Sequence, residues 1–435
     1  MSTYQQTLDY LFTRLPMFSR LGVAAYKKDL TNTIRLCEAL GNPHLKFKSI
    51  HIAGTNGKGS TSHMLAAILQ TAGYKTGLYT SPHLRNFGER IKINGQDVEE
   101  QFVIDFTKQV EPLIEEIEPS FFEITVAMAF EYFALHQVDI AVIETGLGGR
   151  LDSTNIIIPE LSVITNIGWD HMNILGDSLE KIASEKAGII KNEVPVVVGE
   201  ILPELKQIFE RKAKELDAPI CYANEERWIP EWRNEKNELI VAVAKHHIDE
   251  RRFYHLDLTG LYQAKNLLTT LQAVHILTAK GFNIEEHHIV KALANVKKLT
   301  GLHGRWEVVH YSPFTVLDVA HNEDGIKQIT SQLEHCNFHK LHIVLGMVKD
   351  KEIEKILSLL PAYAHYYFTK AQIARALPET ELMNKARAFE LSGQDYPSVD
   401  EALQDAATKA RKEDMILVCG SVFVIGEVNI SQIKW

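Results

Sequence analysis

A short segment, residues 52–64, has the residue types and the spacing that phosphate binding requires. It reads IAGTNGKGSTSHM, so an apolar stretch runs through Gly54 and Gly57 to Lys58. Glycine tolerates the backbone turns that such a loop needs. Successive main-chain amides before the start of a helix bind phosphate oxygens, and a lysine adds positive charge. The segment therefore predicts a nucleotide-binding loop between a strand and a helix.

The class of this loop differs from that of the common P-loop. The common pattern places a serine or threonine directly after the lysine, whereas Gly59 separates Lys58 from Ser60 here. A tight turn with a surface lysine is the alternative. A lysine between two glycines, straight after an apolar strand, favours the nucleotide loop, in which Ser60 or Thr61 faces a metal ion or a phosphate.

Three polar residues at the ends of predicted strands are candidates for holding magnesium. A nucleotide site of this kind uses Mg²⁺, which prefers oxygen ligands. Glu144 ends the apolar run DIAVIE, where an unpaired buried acid would be costly. Ser81 and His171 end neighbouring strands, although a Ser-Pro pair is usually a turn and a lone histidine is usually structural. The alternative for Glu144 is an ion pair with Arg150.

The elements that position these residues alternate between strands and helices. The strand-like segments include FKSIHIAG, VDIAVIETGLGG and LSVITNIGWDH. This alternation predicts parallel α/β sheets, with ligands at the carboxyl ends of the strands. A small β-rich insertion is expected near residues 228–247. Residues 298–309, KLTGLHGRWEVV, read as an interdomain linker. We therefore predict two domains, residues 1–298 and residues 299–435.

Composition limits the class of protein. The chain has 435 residues, of which 45% are hydrophobic and 23% are charged, and these values are typical of globular proteins. No run is apolar enough to span a bilayer, and the first residues lack the apolar core of a secretory signal. The four cysteines are scattered, as in reduced cytosolic proteins. A net charge of −10 argues against nucleic acid as a partner. We expect a cytoplasmic protein with small-molecule substrates.

Several motifs together resemble one known family. They are AGTNGKGS, TSPHL, ETGLGGRLDSTN, EKAGIIK and LDVAHN. The chain resembles the folylpolyglutamate synthase/dihydrofolate synthase family of the Mur ligase superfamily over nearly its whole length. TNGK alone would indicate only the superfamily, whereas SPHL and GLGGRLDSTN resemble the folate branch. The form of the loop with Gly59 is similar to the superfamily's own P-loop.

The resemblance implies a fold and a reaction. The fold is an N-terminal P-loop parallel-sheet ATPase domain of Mur ligase type, followed by a smaller C-terminal Rossmann-like α/β domain. The reaction adds L-glutamate to dihydropteroate, to the γ-carboxyl of tetrahydrofolate (poly)glutamates, or to both. ATP converts the carboxylate into an acyl phosphate, and ADP and phosphate are released. The aromatic stretch SFFE and Asp152 are compatible with a dihydropteroate site, so we expect a bifunctional enzyme.

The resemblance also implies site residues, each at the matching position of this sequence. The catalytic residues are Lys58, Lys186 and His321. ATP is bound by Gly54, Thr55, Asn56, Gly57, Lys58, Gly59, Ser60, Asn266, Arg305 and Asp318. The metal ligands are Ser81, Glu144 and His171. The folate or pteroate contacts are Arg90, Phe122, Glu123, Thr125, Leu151, Asp152 and Ser153. Glutamate is bound by Asp318, His321 and Ser421.

Lys186 matches a lysine that becomes carbamylated. A bare ammonium beside Mg²⁺ would be repelled, whereas a carbamate would be attracted. Helical periodicity alone favours a surface lysine instead. Asp318 could equally cap a helix, and the following His-Asn pair could form a turn. The family also allows a monovalent cation, and we expect a monomer.

One segment departs from the family pattern. Residues 19–30 read SRLGVAAYKKDL, so no N-terminal pterin contact is assigned there.

Two other functions are alternatives to folate ligation. A peptidoglycan-precursor Mur ligase would share the loop, the metal site and both domains. It would usually carry a further N-terminal domain, whereas only a short segment precedes the loop here. A nucleotide-driven regulatory protein would need neither Lys186 nor a second substrate site.

Overall fold

The computed structural model describes residues 3–17, 29–235, 237–246 and 250–435. The chain divides into two compact units. The first comprises the described residues of Met1–Gly168, Met172–Asp257 and Gln263–Leu302. The second comprises Trp169–His171, Leu258–Tyr262 and His303–Trp435. Residues 19–30, which depart from the family sequence pattern, lie almost entirely outside the described residues.

An eight-stranded sheet forms the centre of the first unit, in the order β4-β3-β2-β5-β1-β6-β7-β8. Its strands are β1 (Lys48–Ala53), β2 (Thr76–Tyr79), β3 (Ile91–Ile93), β4 (Gln96–Asp97), β5 (Ile140–Glu144), β6 (Leu161–Ile164), β7 (Val196–Val198) and β8 (Ile220–Tyr222). Neighbours from β2 to β8 run parallel, as predicted. The short strands β3 and β4 add an antiparallel edge, which the sequence analysis did not predict.

Helices cover both faces of this sheet. They are α1 (Tyr4–Arg14), α2 (Thr31–Ala39), α3 (Lys58–Thr71), α4 (Glu100–Ile117), α5 (Phe121–Leu135), α6 (Met172–Leu175), α7 (Leu179–Ala187), α8 (Lys206–Glu215), α9 (Ala223–Glu226), α10 (Gln263–Ala279), α11 (Glu286–Leu293) and α12 (Val296–Thr300). One apolar cluster joins α1, α2, α4 and α5 to β2 and β5. Lys298 and Leu299, on either side of the predicted domain boundary, lie inside α12.

A separate antiparallel sheet interrupts the βα rhythm of the first unit. It consists of β9 (Arg227–Glu235), β10 (Glu238–Lys245) and β11 (Arg251–Leu256), in the order β11-β10-β9. The β-rich insertion expected near residues 228–247 is therefore present. It is longer than expected, because β11 follows the predicted end.

The second unit is built on a six-stranded sheet in the order β12-β13-β17-β14-β15-β16. Its strands are β12 (Glu307–Tyr311), β13 (Phe314–Leu317), β14 (Leu341–Leu345), β15 (His365–Phe368), β16 (Gly393–Asp395) and β17 (Met415–Cys419). Its helices are α13 (Glu323–Leu333), α14 (Ile353–Leu359), α15 (Glu379–Ala386), α16 (Val399–Lys409) and α17 (Val422–Glu427). All neighbours are parallel except β12 and β13.

The strand register brings several predicted site residues to one edge of the first sheet. Ile52 of β1 pairs with Glu144 of β5, and Tyr79 of β2 pairs with Ile143. The carboxyl ends of parallel strands carry the ligand sites of such sheets. The loop after β1, the segment after β2 and Glu144 therefore lie at neighbouring strand ends. Among the helices described, none combines the length and the apolar character needed to cross a membrane.

Candidate active site

The loop between β1 and α3 requires both of its glycines. Gly54 has φ +153° and Gly57 has φ +83°, which side chains rarely adopt. A Cβ atom on Gly54 would lie 1.9 Å from Oγ1 of Thr165, and one on Gly57 would lie 2.3 Å from Oδ1 of Asn266. The loop is thus packed closely against the segment after β6 and against α10.

Side chains and carbonyls of the segment after β6 fix the shape of the loop. The N–H of Thr55 donates to the carbonyl of Asn166 at 3.0 Å, and the N–H of Asn56 donates to Oδ1 of Asn166 at 2.8 Å. Thr165 donates its hydroxyl to the carbonyl of Asn56. These two amides therefore hold the loop, and Lys58 follows them as the first residue of α3.

Two lysines donate to the same carbonyl of the loop. Nζ of Lys58 lies 3.1 Å from the oxygen of Gly54 and 3.3 Å from that of Thr55. Nζ of Lys186, near the end of α7, lies 2.8 Å from the oxygen of Gly54. Lys186 is only 3% exposed. The interpretation of Lys186 as a surface lysine is therefore wrong, and the two ammonium groups meet at the loop between β1 and α3.

The first turn of α3 contacts α10. Nε2 of Gln263 donates to the hydroxyl of Ser60 at 3.1 Å, and Asn266 donates to Gln263 at 2.8 Å. The hydroxyl of Thr61 is buried and has no hydrogen-bond partner among the described residues. Asn266, an expected ATP contact, thus lies beside Gly57, and Ser60 is occupied by a structural contact. A buried hydroxyl without a partner remains at Thr61.

Two of the three expected metal ligands lie on neighbouring strands of the first unit. Ser81 follows β2, and Glu144 ends β5 and is 5% exposed. Arg150 pairs with Glu185 at 2.8 Å, so the alternative that Arg150 pairs with Glu144 is wrong. A hydroxyl and a carboxylate are the oxygen donors that suit Mg²⁺. In the part of the chain that is described, no three His, Cys, Asp or Glu side chains form a metal-binding group by themselves.

Residues expected to bind the pteridine-bearing substrate surround Tyr79. The hydroxyl of Thr125 donates to the carbonyl of Phe122 at 2.9 Å and lies 3.0 Å from the hydroxyl of Tyr79. Phe122 is partly exposed, and its ring packs against Gly146, where a Cβ would lie 2.4 Å from Cζ. Phe122 therefore lies at the edge of the apolar cluster, on the first turn of α5.

The two acidic residues expected on this side have structural partners. Oδ2 of Asp152 accepts from the N–H of Leu147 at 2.7 Å, and Oδ1 accepts from the N–H and the hydroxyl of Thr154. Burial raises the pKa of Asp152. Glu123 accepts from the N–H of Ser120 at 2.6 Å and so forms the capping box of α5. Leu151 and Ser153, on either side of Asp152, are partly exposed.

Arg90 is buried and contacts a histidine that the sequence analysis did not select. Nε of Arg90 donates to Nδ1 of His83 at 2.7 Å, and the guanidinium lies 5.2 Å from the centre of the Phe121 ring. Burial lowers the pKa of Arg90, and Tyr79, Glu89 and Glu144 offset part of that effect. Burial and the charge of Arg90 lower the pKa of His83. His83 belongs to the SPHL motif, which could have indicated from the sequence that this residue is part of the site.

In the second unit, Asp318 follows β13 and accepts hydrogen bonds from three other residues of the chain. Oδ2 accepts from the hydroxyl of Tyr262 at 2.7 Å and from the N–H of Trp306 at 2.8 Å. Oδ1 accepts from the N–H of Ala320 at 2.8 Å. Burial raises the pKa of Asp318. Arg305 precedes Trp306 directly, so two expected ATP contacts are close in this unit.

The remaining residues expected in the second unit lie at starts of helices or beside them. Ser421 caps α17 by accepting from the N–H of Phe423 at 3.1 Å. Asn322 caps α13. Nδ1 of His321 donates to the carbonyl of Val319 at 2.8 Å, which leaves Nε2 as the outer nitrogen of the ring. The Asp318-Asn322 stretch is thus a helix entry, and its cap is Asn322 rather than Asp318.

A buried aspartate that the sequence analysis missed connects several of these residues. Asp170 pairs with Lys351 at 2.5 Å and accepts from Nδ2 of Asn322 at 3.2 Å. Its Oδ2 lies 3.6 Å from Nε2 of His321 and 3.7 Å from Nε2 of His171. Burial would raise the pKa of Asp170, but Lys351 and the two imidazoles hold it well below its usual value. Asp170 therefore positions both predicted histidines.

Comparison with known families covers most of the chain. Residues 52–274 match the Mur ligase middle domain, and residues 304–422 match the Mur ligase glutamate ligase domain. The first match lies in the first unit except for the short segments 169–171 and 258–262, and the second lies in the second unit.

Individual relatives match the full length. The chain is 33% identical to the dihydrofolate synthase/folylpolyglutamate synthase of Bacillus subtilis, over 98% of this chain and 99% of that one. It is similar to the structure of E. coli FolC in complex with DHPP and ADP, with a TM-score of 0.84, 29% identity and coverage of 98% and 96%. It is also similar to the Yersinia pestis bifunctional folylpolyglutamate synthase/dihydrofolate synthase complexed with AMPPNP and Mn ion, with a TM-score of 0.82, 28% identity and coverage of 98% and 97%.

Proposed function

The chain belongs to the dihydrofolate synthase/folylpolyglutamate synthase family of Mur ligases, and we propose that it joins L-glutamate to the carboxylate of a folate precursor or folate at the expense of ATP. One structural observation carries the proposal most directly. Neighbouring strand ends of one sheet carry the loop with Gly54, Gly57 and Lys58, the carboxylate of Glu144, and the side chains of Tyr79 and Arg90. A phosphate site thus adjoins a site with aromatic rings and a buried cation.

The nucleotide end of this site matches what phosphoryl transfer needs. Lys58 supplies positive charge at the start of α3, where the N–H groups of the first helical turn would bind phosphate oxygens. Ser81 and Glu144, at neighbouring strand ends of the first unit, would hold a divalent metal ion. When bound, such an ion neutralises charge on the transferring phosphoryl group. A relative of this family has been solved with AMPPNP and Mn ion, which supports a nucleotide and a divalent ion here.

The reaction divides into two steps. A carboxylate is a poor acyl donor, because its leaving group would be oxide. A carboxylate oxygen of the folate substrate first attacks the γ-phosphorus of ATP, so the bond to ADP breaks and an acyl phosphate forms. The amino group of glutamate then attacks the acyl carbon, loses a proton, and expels phosphate. Lys58 stabilises negative charge during the first step, and such electrostatic contributions are usually the largest.

We assign the glutamate end to the second unit. Asp318, His321 and Ser421 lie at its strand ends or at the helix entries that follow. His321 is held at both ends, since Nδ1 donates to Val319 and Nε2 lies near Asp170. This arrangement suits a ring that orients the incoming glutamate. The Rossmann-like second unit would thus bind glutamate.

Both activities of the family are proposed for this chain. Dihydrofolate synthase activity adds the first glutamate to dihydropteroate, and folylpolyglutamate synthase activity extends the tail. The full-length match to a relative with both names supports this proposal. A peptidoglycan-precursor ligase is not favoured, because the full-length relatives carry folate names.

Product analysis tests the function. Purified protein with ATP, Mg²⁺ and labelled glutamate should convert dihydropteroate into dihydrofolate and should lengthen the tail of tetrahydrofolate. Each glutamate added should release one phosphate. Labelled product from only one acceptor would remove the other activity. Phosphate release triggered by a uridine-nucleotide peptide precursor, with none from either folate acceptor, would overturn the proposal.

Replacement of Glu144 tests the metal site. We expect Glu144→Gln to raise the Mg²⁺ concentration needed for half-maximal activity by about tenfold or more, because a neutral amide is a poorer ligand than a carboxylate. Glu200→Gln is the matched control, since Glu200 forms an exposed ion pair with Lys265. Mg²⁺ titrations and melting curves should be compared. A lower melting temperature with an unchanged Mg²⁺ titration would remove Glu144 from the metal site.

A further inference from the structure

Arg90 is a buried cation, and Glu89 and Glu144 offset only part of the cost of burying it. It ends a short 3-10 turn, Phe87–Arg90, just before β3, and is 7% exposed. Within the described ranges its guanidinium forms no ion pair within 4 Å, whereas buried Lys92 pairs with Asp97 and buried Lys186 donates to the carbonyl of Gly54. Burying a charge without a partner is costly. An anionic ligand would supply the missing partner through charge-assisted hydrogen bonds.

The ring of Phe121 covers the guanidinium, and two further rings pack against Phe121. The Phe121 ring lies 5.2 Å from Cζ of Arg90. Phe121 is packed by Phe12 and Phe87, with ring centres 5.5 Å and 6.2 Å away. A guanidinium over a ring face is favourable and more so when desolvated. The enclosure also strengthens any hydrogen bond that Arg90 makes to an anion.

His83 determines how the guanidinium is turned. Its Nδ1 accepts from Nε of Arg90 at 2.7 Å, so Nδ1 carries no proton. The His83 ring is itself packed by Phe12 and Phe87, with ring centres 6.2 Å and 6.3 Å away. A hydrogen bond at Nε fixes the plane of the guanidinium. The Tyr79 hydroxyl is a second hydrogen-bond partner, and the remaining N–H groups of the two Nη atoms are available to an anion. Paired Nη groups match the geometry of a carboxylate.

We propose that His83 is a positioning residue that holds Arg90 so that its Nη groups receive the carboxylate that becomes phosphorylated. This inference rests on the proposed function. Two observations select that carboxylate rather than the α-carboxylate of an existing glutamate tail. Glu144 is close enough to influence Arg90 electrostatically, and the carbonyl of Arg90 accepts from the N–H of Thr80, next to Ser81. Arg90 thus lies at the metal and phosphate end of the substrate site.

The choice of acceptor substrate makes the test sharp. Dihydropteroate has a single carboxylate, the one that reacts, whereas tetrahydrofolate also has an α-carboxylate. We expect His83→Leu, which keeps the bulk but removes the acceptor, to raise KM for dihydropteroate about tenfold. KM for ATP should stay within twofold. His83→Asn places an amide oxygen near the position of Nδ1 and should recover most of the loss. Arg90→Gln should raise the same KM by more than His83→Leu does.

Controls and binding measurements separate the possible failures. His287→Leu, at an exposed position, is the matched histidine control. Equilibrium binding of pteroate to each variant, followed by fluorescence, gives a readout that does not need turnover. If His83→Leu does not fold, His83→Asn and Arg90→Gln still decide the question. Dihydropteroate KM and pteroate affinity within twofold of wild type in these variants would overturn the inference, as would an effect confined to tetrahydrofolate. A wild-type protein that ligates glutamate to neither acceptor would overturn the proposed function instead.

Discussion

Lys58→Ala should lower the turnover number of glutamate ligation by about 100-fold or more, because it removes a group that stabilises charge on the transferring phosphoryl group. The ammonium of Lys58 lies over the loop, within hydrogen-bond distance of the carbonyls of Gly54 and Thr55. Lys58 is partly exposed, and the carbonyl of Gly54 also accepts from Lys186, so the fold should tolerate the loss. Phosphate release at saturating ATP is the measurement, with the melting temperature recorded in parallel.

Two matched variants make this result specific. Lys181→Ala removes an exposed lysine that pairs with Asp177 and should keep wild-type turnover. Lys58→Arg keeps the charge but replaces a compact ammonium with a planar fork, so it should recover only part of the activity. Wild-type turnover in Lys58→Ala would contradict the assignment of the loop to ATP phosphates.

Local signals made the loop between β1 and α3 predictable from the sequence. Gly54, Gly57 and Lys58 are close together in the chain, and their spacing alone predicts a turn before a helix. The parallel strands were also readable, because β1, β5 and β6 are apolar runs followed by glycine or polar residues. Predictions of this type succeed because the determining residues are neighbours in sequence.

Some local signals were present and were not used. The segment KINGQD contains Asn94 and Gly95 with φ of 48° and 77°, which is the pattern of a two-residue hairpin turn. It forms the antiparallel edge of β3 and β4. Ser120 and Glu123 have the spacing of a capping box, and the structure uses Glu123 in that way. The resemblance directed attention to ligand binding, whereas helix capping explains the contacts of this carboxylate.

Other features could not be read from the sequence, because their partners are far apart in the chain. Asp170 and Lys351 are separated by 181 positions, and no sequence motif around either residue indicates that they form an ion pair. His83 and Arg90 are closer, but their contact depends on how the turn before β3 folds back. The burial of Lys186 similarly depends on the packing of α7 against the loop after β1, which helical periodicity does not report.

The largest remaining effect is expected at Lys186. Its ammonium and that of Lys58 donate to the same carbonyl, that of Gly54. Two like charges that share one acceptor in a buried place are unfavourable. Carbamylation would relieve this conflict: the unprotonated amine attacks carbon dioxide, a C–N bond forms, one C=O electron pair moves to oxygen, and a proton leaves. A carbamate would keep one N–H for the carbonyl of Gly54 and would add a negative group able to contact a metal ion or Lys58.

Lys186→Ala should therefore lower turnover by about 100-fold or more, and added formate or acetate should restore part of the activity by occupying the place of the carbamate. Lys186→Arg keeps the positive charge, but its guanidinium does not form a carbamate. This variant should therefore remain inactive, and formate or acetate should not restore its activity. Wild-type protein equilibrated with ¹³C-bicarbonate should give a carbamate carbon signal that both variants lack. If the signal persists in Lys186→Ala, or if Lys186→Arg retains wild-type turnover, then the lysine acts as an ordinary cation and the carbamate proposal is wrong.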